Sequence, residues 1–186
     1  MADHTGTERW AGASRRWPDH DRRRPDDTTL RGTFREAMSQ VPAAVSVITA
    51  RRDDGRPTGL VATAVMSYST EPPSLAVSVS HRARSHAAIA GGTSFGVHFL
   101  AREQNGLAMA FASPAEDKFA GLNWVEVAGA PMLSGCVARF VCVRAATFPH
   151  GDHTLVIGDV VEVVSAPGAP LVHLDRSMAW EVVPAS

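Results

Sequence analysis

The 186-residue sequence predicts a mainly β protein, a small closed antiparallel barrel with a few short decorating helices. Apolar, β-branched runs recur along the chain with hairpin turn signals between them, at Asp53-Asp54-Gly55 and at His150-Gly151-Asp152. The strand–helix alternation of a doubly wound sheet is missing, and so is Gly-x-Gly-x-x-Gly, which argues against a Rossmann nucleotide site. A hydrophobic content of 45% with 20% charged residues suits one globular domain with a real core. The formal net charge of −1 gives no reason to expect nucleic acid or an anionic membrane as partner. No apolar run approaches the roughly 18 residues of a membrane span. The N-terminus lacks the apolar core of a secretory signal, so a cytoplasmic protein is expected.

Residues 1–28 read as a disordered leader, dominated by Asp, Arg, Gly, Pro, Ser and Thr without apolar period. Its Arg22-Arg23-Arg24 cluster is offset, because the segment to Thr29 holds six Arg against six acids. The domain proper is then 29–186. Phe34, Ala37, Met38 and Val41 share a helical face and Thr33 with Glu36 makes a capping box, giving a helix over 33–41. A strand over 43–51 pairs, through the Asp-Asp-Gly turn, with a strand that runs from Thr58 to the Pro72-Pro73 break. A third strand covers 74–80, a short helix 85–90 and a further strand 95–100. Residues 102–121 read as helical with a restart at Pro114, which makes Glu116 to Phe119 a charged helix face. Two long valine-rich strands, 136–148 and 153–165, flank the His150 turn, and short strands at 171–174 and 178–183 close the fold. Within one strand, Cys136 and Cys142 would lie about 20 Å apart on the same face. That is too far for a disulfide, so both read as reduced core thiols of a cytoplasmic protein.

Three stretches carry chemistry. The strand beginning at Thr58 loses its bulk at Ala62, Thr63 and Ala64, leaving backbone amides on which something flat can lie; tight packing of another element is the alternative. Ser80-His81-Arg82-Ala83-Arg84-Ser85 opens a helix, and a helix start with unpaired amides suits a phosphate. Ser85 can cap or donate, and Arg84 can offer a bidentate bond, with Arg82 in support. A capped surface helix with solvated arginines is the alternative there. Two His and an Asp at 150–153 suggest a metal, but no third cluster at ligand spacing supports one; His153 is better placed to orient a substrate. Nucleophile motifs and paired carboxylates are missing.

In this order and spacing the residues resemble the flavin reductase family with the FMN-binding split-barrel fold. Its members are small reductase components that supply reduced flavin to two-component monooxygenases. The likeness spans 34–182. It rests on Val45-Ser46-Val47-Ile48-Thr49, on 59–69 ahead of Glu71-Pro72-Pro73, and on Ala83-Arg84-Ser85. Residues 95–100, Asp117 to Gly121 and Gly151-Asp152-His153 add to it. The resemblance implies that Gly59, Leu60, Val61, Ala62, Thr63 and Ala64 line the isoalloxazine ring, and that Val79, Ser80, Ala83, Arg84 and Ser85 hold the ribityl chain and phosphate. It places Lys118 and Phe119 near the flavin, and Gly151, Asp152 and His153 beside the nicotinamide, with His153 as the catalytic residue. It also implies FMN, or FAD in its place, NADH or NADPH as hydride donor, a homodimer, and a monooxygenase partner. The chain departs from the usual pattern at Ala44, Thr63-Ala64, His98 and His150, the last two being positions where donor preference or flavin affinity can change.

Hydride transfer of this kind needs two stacked rings about 3–3.5 Å apart rather than an acid–base dyad. Amides of the Thr58 strand would stabilise the reduced, anionic ring. The alternatives are a non-catalytic flavin carrier on the same barrel and an oxidoreductase that keeps FMN and acts on an organic substrate. Haem binding is the remotest of them.

Overall fold

The computed structural model describes residues 27–183. The expected leader, but for its last two residues, lies outside them. The chain divides at Met38/Ser39. The described part opens with helix α1 (Asp27–Ser39), followed by strands β1 (Ala43–Ala44), β2 (Ser46–Arg51), β3 (Pro57–Ala62), β4 (Val65–Thr70) and β5 (Pro73–Ser80). Helix α2 (His86–Gly91), β6 (Ser94–Phe99), a 3-10 turn (Arg102–Gln104) and α3 (Asn105–Ala112) come next. The remaining strands are β7 (Trp124–Val127), β8 (Ala130–Leu133), β9 (Ala138–His150), β10 (His153–Ser165) and β11 (Val172–His173).

Seven strands form one sheet in the order β3-β2-β6-β9-β10-β5-β4, antiparallel throughout. Its two edges, β3 and β4, are consecutive in the chain and separated only by Thr63 and Ala64. In a flat sheet those edges would stand about 29 Å apart, six spacings of roughly 4.8 Å. Two linking residues reach roughly 11 Å. The sheet therefore curls until the end of β3 reaches the start of β4, and since β3 and β4 do not pair with each other the barrel is split between them.

This corrects the reading of 58–73 as one strand. Residue-level strand propensity continues through Thr63 and Ala64, but barrel closure forces the chain to bend there and change edges. Ala64 keeps one tie to β5, the neighbour of the far edge, accepting the Ser78 N–H at 3.0 Å.

Period-2 alternation on β2 sorts two cores. Ile48 and Ala50 point into the barrel with Leu75, Val77, Val79, Phe95, Val97 and Val156. Val45 and Val47 face outward into a second cluster with Leu100, Phe111, Phe119 and Leu133. A central strand covered on both faces reads as a nearly continuous apolar run, as this one does.

Other elements differ from expectation for local reasons. Helix α1 starts at Asp27, six residues before Thr33; the Thr33 hydroxyl donates to Thr29 O at 3.0 Å, a bond of helix interiors rather than of caps. It ends at Ser39 because Pro42 disfavours helical conformation at Val41. Pro114 does not restart a helix after α3. Residues 113–121 form a loop in which Asp117 Oδ1 accepts from the N–H groups of Phe119 and Ala120 at 2.9 and 3.1 Å. The charged face expected at Glu116 to Phe119 is thus a side-chain-capped turn.

The β7–β8 hairpin was not expected. Its two-residue turn holds Ala128 at φ 47° and Gly129 at φ 83°, a primed turn without the usual Asn-Gly signature. Cys136 precedes β9 instead of sharing a strand with Cys142, and the two lie in different clusters, both free. Burial pushes both thiols up, Cys142 to about 12. Residues 178–183 form no strand; the Trp180 indole instead donates to Leu174 O at 2.7 Å. Among the described residues no helix is long and apolar enough to cross a membrane.

Candidate functional site

A cavity of about 490 Å³ opens between the free edge of β3, the loop before α2 and the loop after α3. Gly59, Leu60 and Val61 form its strand wall. One side of their backbone has no strand partner among the described residues, where β3 pairs only with β2. Ala83, Arg84 and Ser85 face them from the second wall. Helix α2 has only six residues and Ser85 makes no side-chain capping bond, so the helix start contributes little; buried Ser85 is held at the cavity by its position.

Four cations line the cavity, Arg52, Arg82, Arg84 and Lys118, against one acid, Glu116. Arg84 Nη2 donates to the carbonyls of Pro114 and Ala115, the latter at 2.8 Å, tying the loop after α3 across the cavity. Lys118 Nζ donates to Phe111 O at 2.6 Å. Burial lowers the Lys118 ammonium below its ordinary range, and the charges of Arg84 and Arg52 add to that. Arg52 also lines the cavity, and its Nε is buried without a hydrogen-bond partner. Four cations against one carboxylate around one concavity, with an orphaned donor on Arg52, form a set that an oxyanion such as phosphate would satisfy.

Not every expected residue reaches this cavity. Ala62 packs against the barrel core and Val79 is fully buried in it. Thr63 and Ala64 are exposed at the bend between the barrel edges. Ser80 spends its hydroxyl on the Arg82 N–H at 3.3 Å. Phe119 lies behind the cavity, edge-on to Phe111 and Trp124 at centroid distances of 5.2 and 5.8 Å. Gly59 is bare for packing. A Cβ there would meet Ile48 O at 2.6 Å and the Phe111 ring at 2.7 Å, so the flat group lying on it is Phe111 itself. Gly59→Ala should therefore cost about 1–3 kcal/mol through overpacking, measurable as a lowered urea midpoint.

The Gly151-Asp152 turn carries His153 at the start of β10, directly across from Ser80. His153 Nδ1 and Asp152 Oδ1 are 2.8 Å apart. In the neutral ring this sets the proton on Nδ1 and leaves Nε2 as an outward acceptor on a half-exposed side chain. The His153 bond holds the Asp152 carboxyl below the usual carboxylate range. Beneath this turn, His81 and His86 both reach the hydroxyl of Thr154.

His98, by contrast, is wholly buried. Its Nδ1 pairs with Val47 O at 3.0 Å and its Nε2 accepts from the Leu133 N–H at 3.1 Å. It bolts β8 to β2 and stands in the core rather than at the cavity. Arg144, a conceivable grip for a nucleotide 2′-phosphate, instead donates from Nε to Gly92 O at 2.7 Å behind α2.

Residues 38–181 match the family model of the flavin reductase like domain. The chain belongs to this family. It is 39% identical over 150 residues to the actinorhodin polyketide dimerase of Streptomyces coelicolor, covering 80% of this chain and 85% of that one. It is 33% identical over 140 residues to the FMN reductase (NADH) SmoA of Agrobacterium fabrum, covering 75% and 79%. The styrene monooxygenase flavin reductase from Pseudomonas putida S12 superposes with a TM-score of 0.75 at 28% identity, covering 82% of this chain and 99% of that one. As a flavin reductase family member the chain is an oxidoreductase, and its antiparallel β fold is the one expected.

Two features of this family member's cavity escaped the sequence. Arg52 sits beside a hairpin turn, where an arginine normally reads as solvated. The Pro114–Ala115 carbonyls become visible only once the loop is seen to leave the helix.

Proposed function

We propose that this protein is an NAD(P)H-dependent flavin reductase that passes a hydride from reduced nicotinamide to FMN and supplies reduced flavin to a partner monooxygenase. The observation that carries this is the cation-lined cavity at the unpaired edge of β3, with Arg52, Arg84 and Lys118 around it. Arg84, Arg52 and Ser85 would hold the flavin phosphate, and Leu60 and Val61 would carry the ring along the strand edge. Flavin bound there supplies the hydride-accepting ring. Lys118, positive and partly desolvated, favours negative charge nearby. His153, its tautomer set by Asp152, offers Nε2 to a nicotinamide approaching from the turn. The cavity is open to solvent on one side, which suits exchange of flavin with a partner.

A homodimer accords with the apolar surface on β4 and on the far half of β10, where Met66, Tyr68, Val161 and Val163 are more than half exposed. Two reduced, buried cysteines fit a cytoplasmic setting.

The test is NADH and NADPH oxidation with FMN, FAD, riboflavin or no flavin. Rapid oxidation that requires added flavin is expected. A protein that binds FMN yet never accelerates loss of either nucleotide would be a carrier. One that purifies with a full complement of FMN would hold the flavin as a resident cofactor.

A further inference from the structure

Thr154 is buried under the segment 81–86, which carries Arg84 and Ser85 to the cavity. Its hydroxyl lies 3.0 Å from His81 Nε2 and 2.9 Å from His86 Nε2, the two ends of that segment. The His81 N–H adds a third tie, donating to Asp152 O at 2.9 Å in the adjoining turn. The two imidazoles meet edge-on with centroids 5.0 Å apart, so each ring also limits the other's rotation.

One hydroxyl has one proton and two lone pairs. It can donate to one imidazole nitrogen and accept from the other, or accept from both, but it cannot donate to both. At least one of His81 and His86 must therefore carry its proton on Nε2. The two ends of the segment are held to one atom of β10, and that atom belongs to the residue next to His153.

We infer that Thr154 is a positioning residue for the flavin-phosphate segment, acting through His81 and His86 to fix Arg84 and Ser85 at the cavity. It does not line the cavity. The inference rests on the cavity's being the flavin site.

Fluorescence titration with FMN and with riboflavin, which lacks the phosphate, tests it. Wild type must first bind FMN more tightly than riboflavin; equal affinity would sink the reading of the cavity, before any variant is considered. Thr154→Val should then weaken FMN about tenfold and riboflavin less than twofold, while Thr154→Ser, which keeps the hydroxyl, returns FMN to within about threefold of wild type. Unchanged FMN affinity in Thr154→Val would overturn the proposal, as would equal losses for both flavins. A double-mutant cycle covers the case in which Thr154→Val folds poorly. On a His81→Ala/His86→Ala background, Thr154→Val should add less than twofold to the FMN loss, whereas a full independent loss would refute action through the histidines.

Discussion

Arg84→Ala should weaken FMN binding roughly 10- to 150-fold, the equivalent of about 1.5–3 kcal/mol for a hydrogen bond to a charged group, and leave riboflavin nearly unaffected. The guanidinium has five donors in a planar fork. In the structure Nη2 serves the Pro114 and Ala115 carbonyls, which leaves the rest of the fork available on the cavity side. Arg84→Lys keeps the charge but not the fork, and should recover less than half of the lost free energy. Two further effects separate this arginine from a merely structural one. Removing it relieves the like-charge pressure on Lys118, whose ammonium should return toward its ordinary range. It also unties the loop after α3, so proteolysis near Pro114 should accelerate in the variant without flavin. Titration of FMN and riboflavin side by side is the measurement. Equal losses for both flavins would mean that Arg84 only shapes the loop.

Much of this was legible from local chemistry. Asp53-Asp54-Gly55 and Gly151-Asp152 name their own hairpins, and the valine alternation of β2, β5 and β10 names its strands. Arg84 and Ser85 stood out as candidates for an anion site because an arginine and a hydroxyl open a helix there, although a capped surface helix with solvated arginines fits the same residues. What was hidden depends on closure. Nothing in Thr63 or Ala64 says that the strand must change edges; that follows only from a seven-stranded sheet whose edges are two residues apart. The β7–β8 hairpin escaped because Ala128 occupies a left-handed position where Asn or Asp usually signals the turn. His98 stands out in the sequence only as a departure from the family pattern; that backbone groups occupy both its ring nitrogens depends on the folded neighbours β2 and β8.

That occupation makes His98 the residue whose loss should cost the fold most. In His98→Ala the Leu133 N–H is stranded without solvent, the Val47 carbonyl keeps only its ladder partner at residue 98, and a ring-sized void is left between β2 and β8. An unsatisfied buried group costs about 1–3 kcal/mol and a large-to-small core change about 2–5, so a loss of at least about 3 kcal/mol is expected. His98→Asn can overlay only the Nδ1 position and His98→Gln only the Nε2 position, so each should recover part of the loss. The same geometry sets a pH dependence. Burial above all, with Arg139 nearby, holds the imidazole down to about 4 against the favourable bond to Val47. A proton on Nε2 would also point at the Leu133 N–H, donor against donor. The unfolded chain, with an ordinary imidazole near 6.5, binds this proton first as the pH falls. Stability from His98 is therefore complete above about pH 6.5 and declines toward pH 4, by up to about 3 kcal/mol in all. Carboxylates titrate in the lower part of that window, so the measurement is a difference. Urea midpoints of wild type and His98→Asn, taken from pH 7 to pH 4.5, should converge as the pH falls. Parallel curves would show that His98 is not the group that titrates.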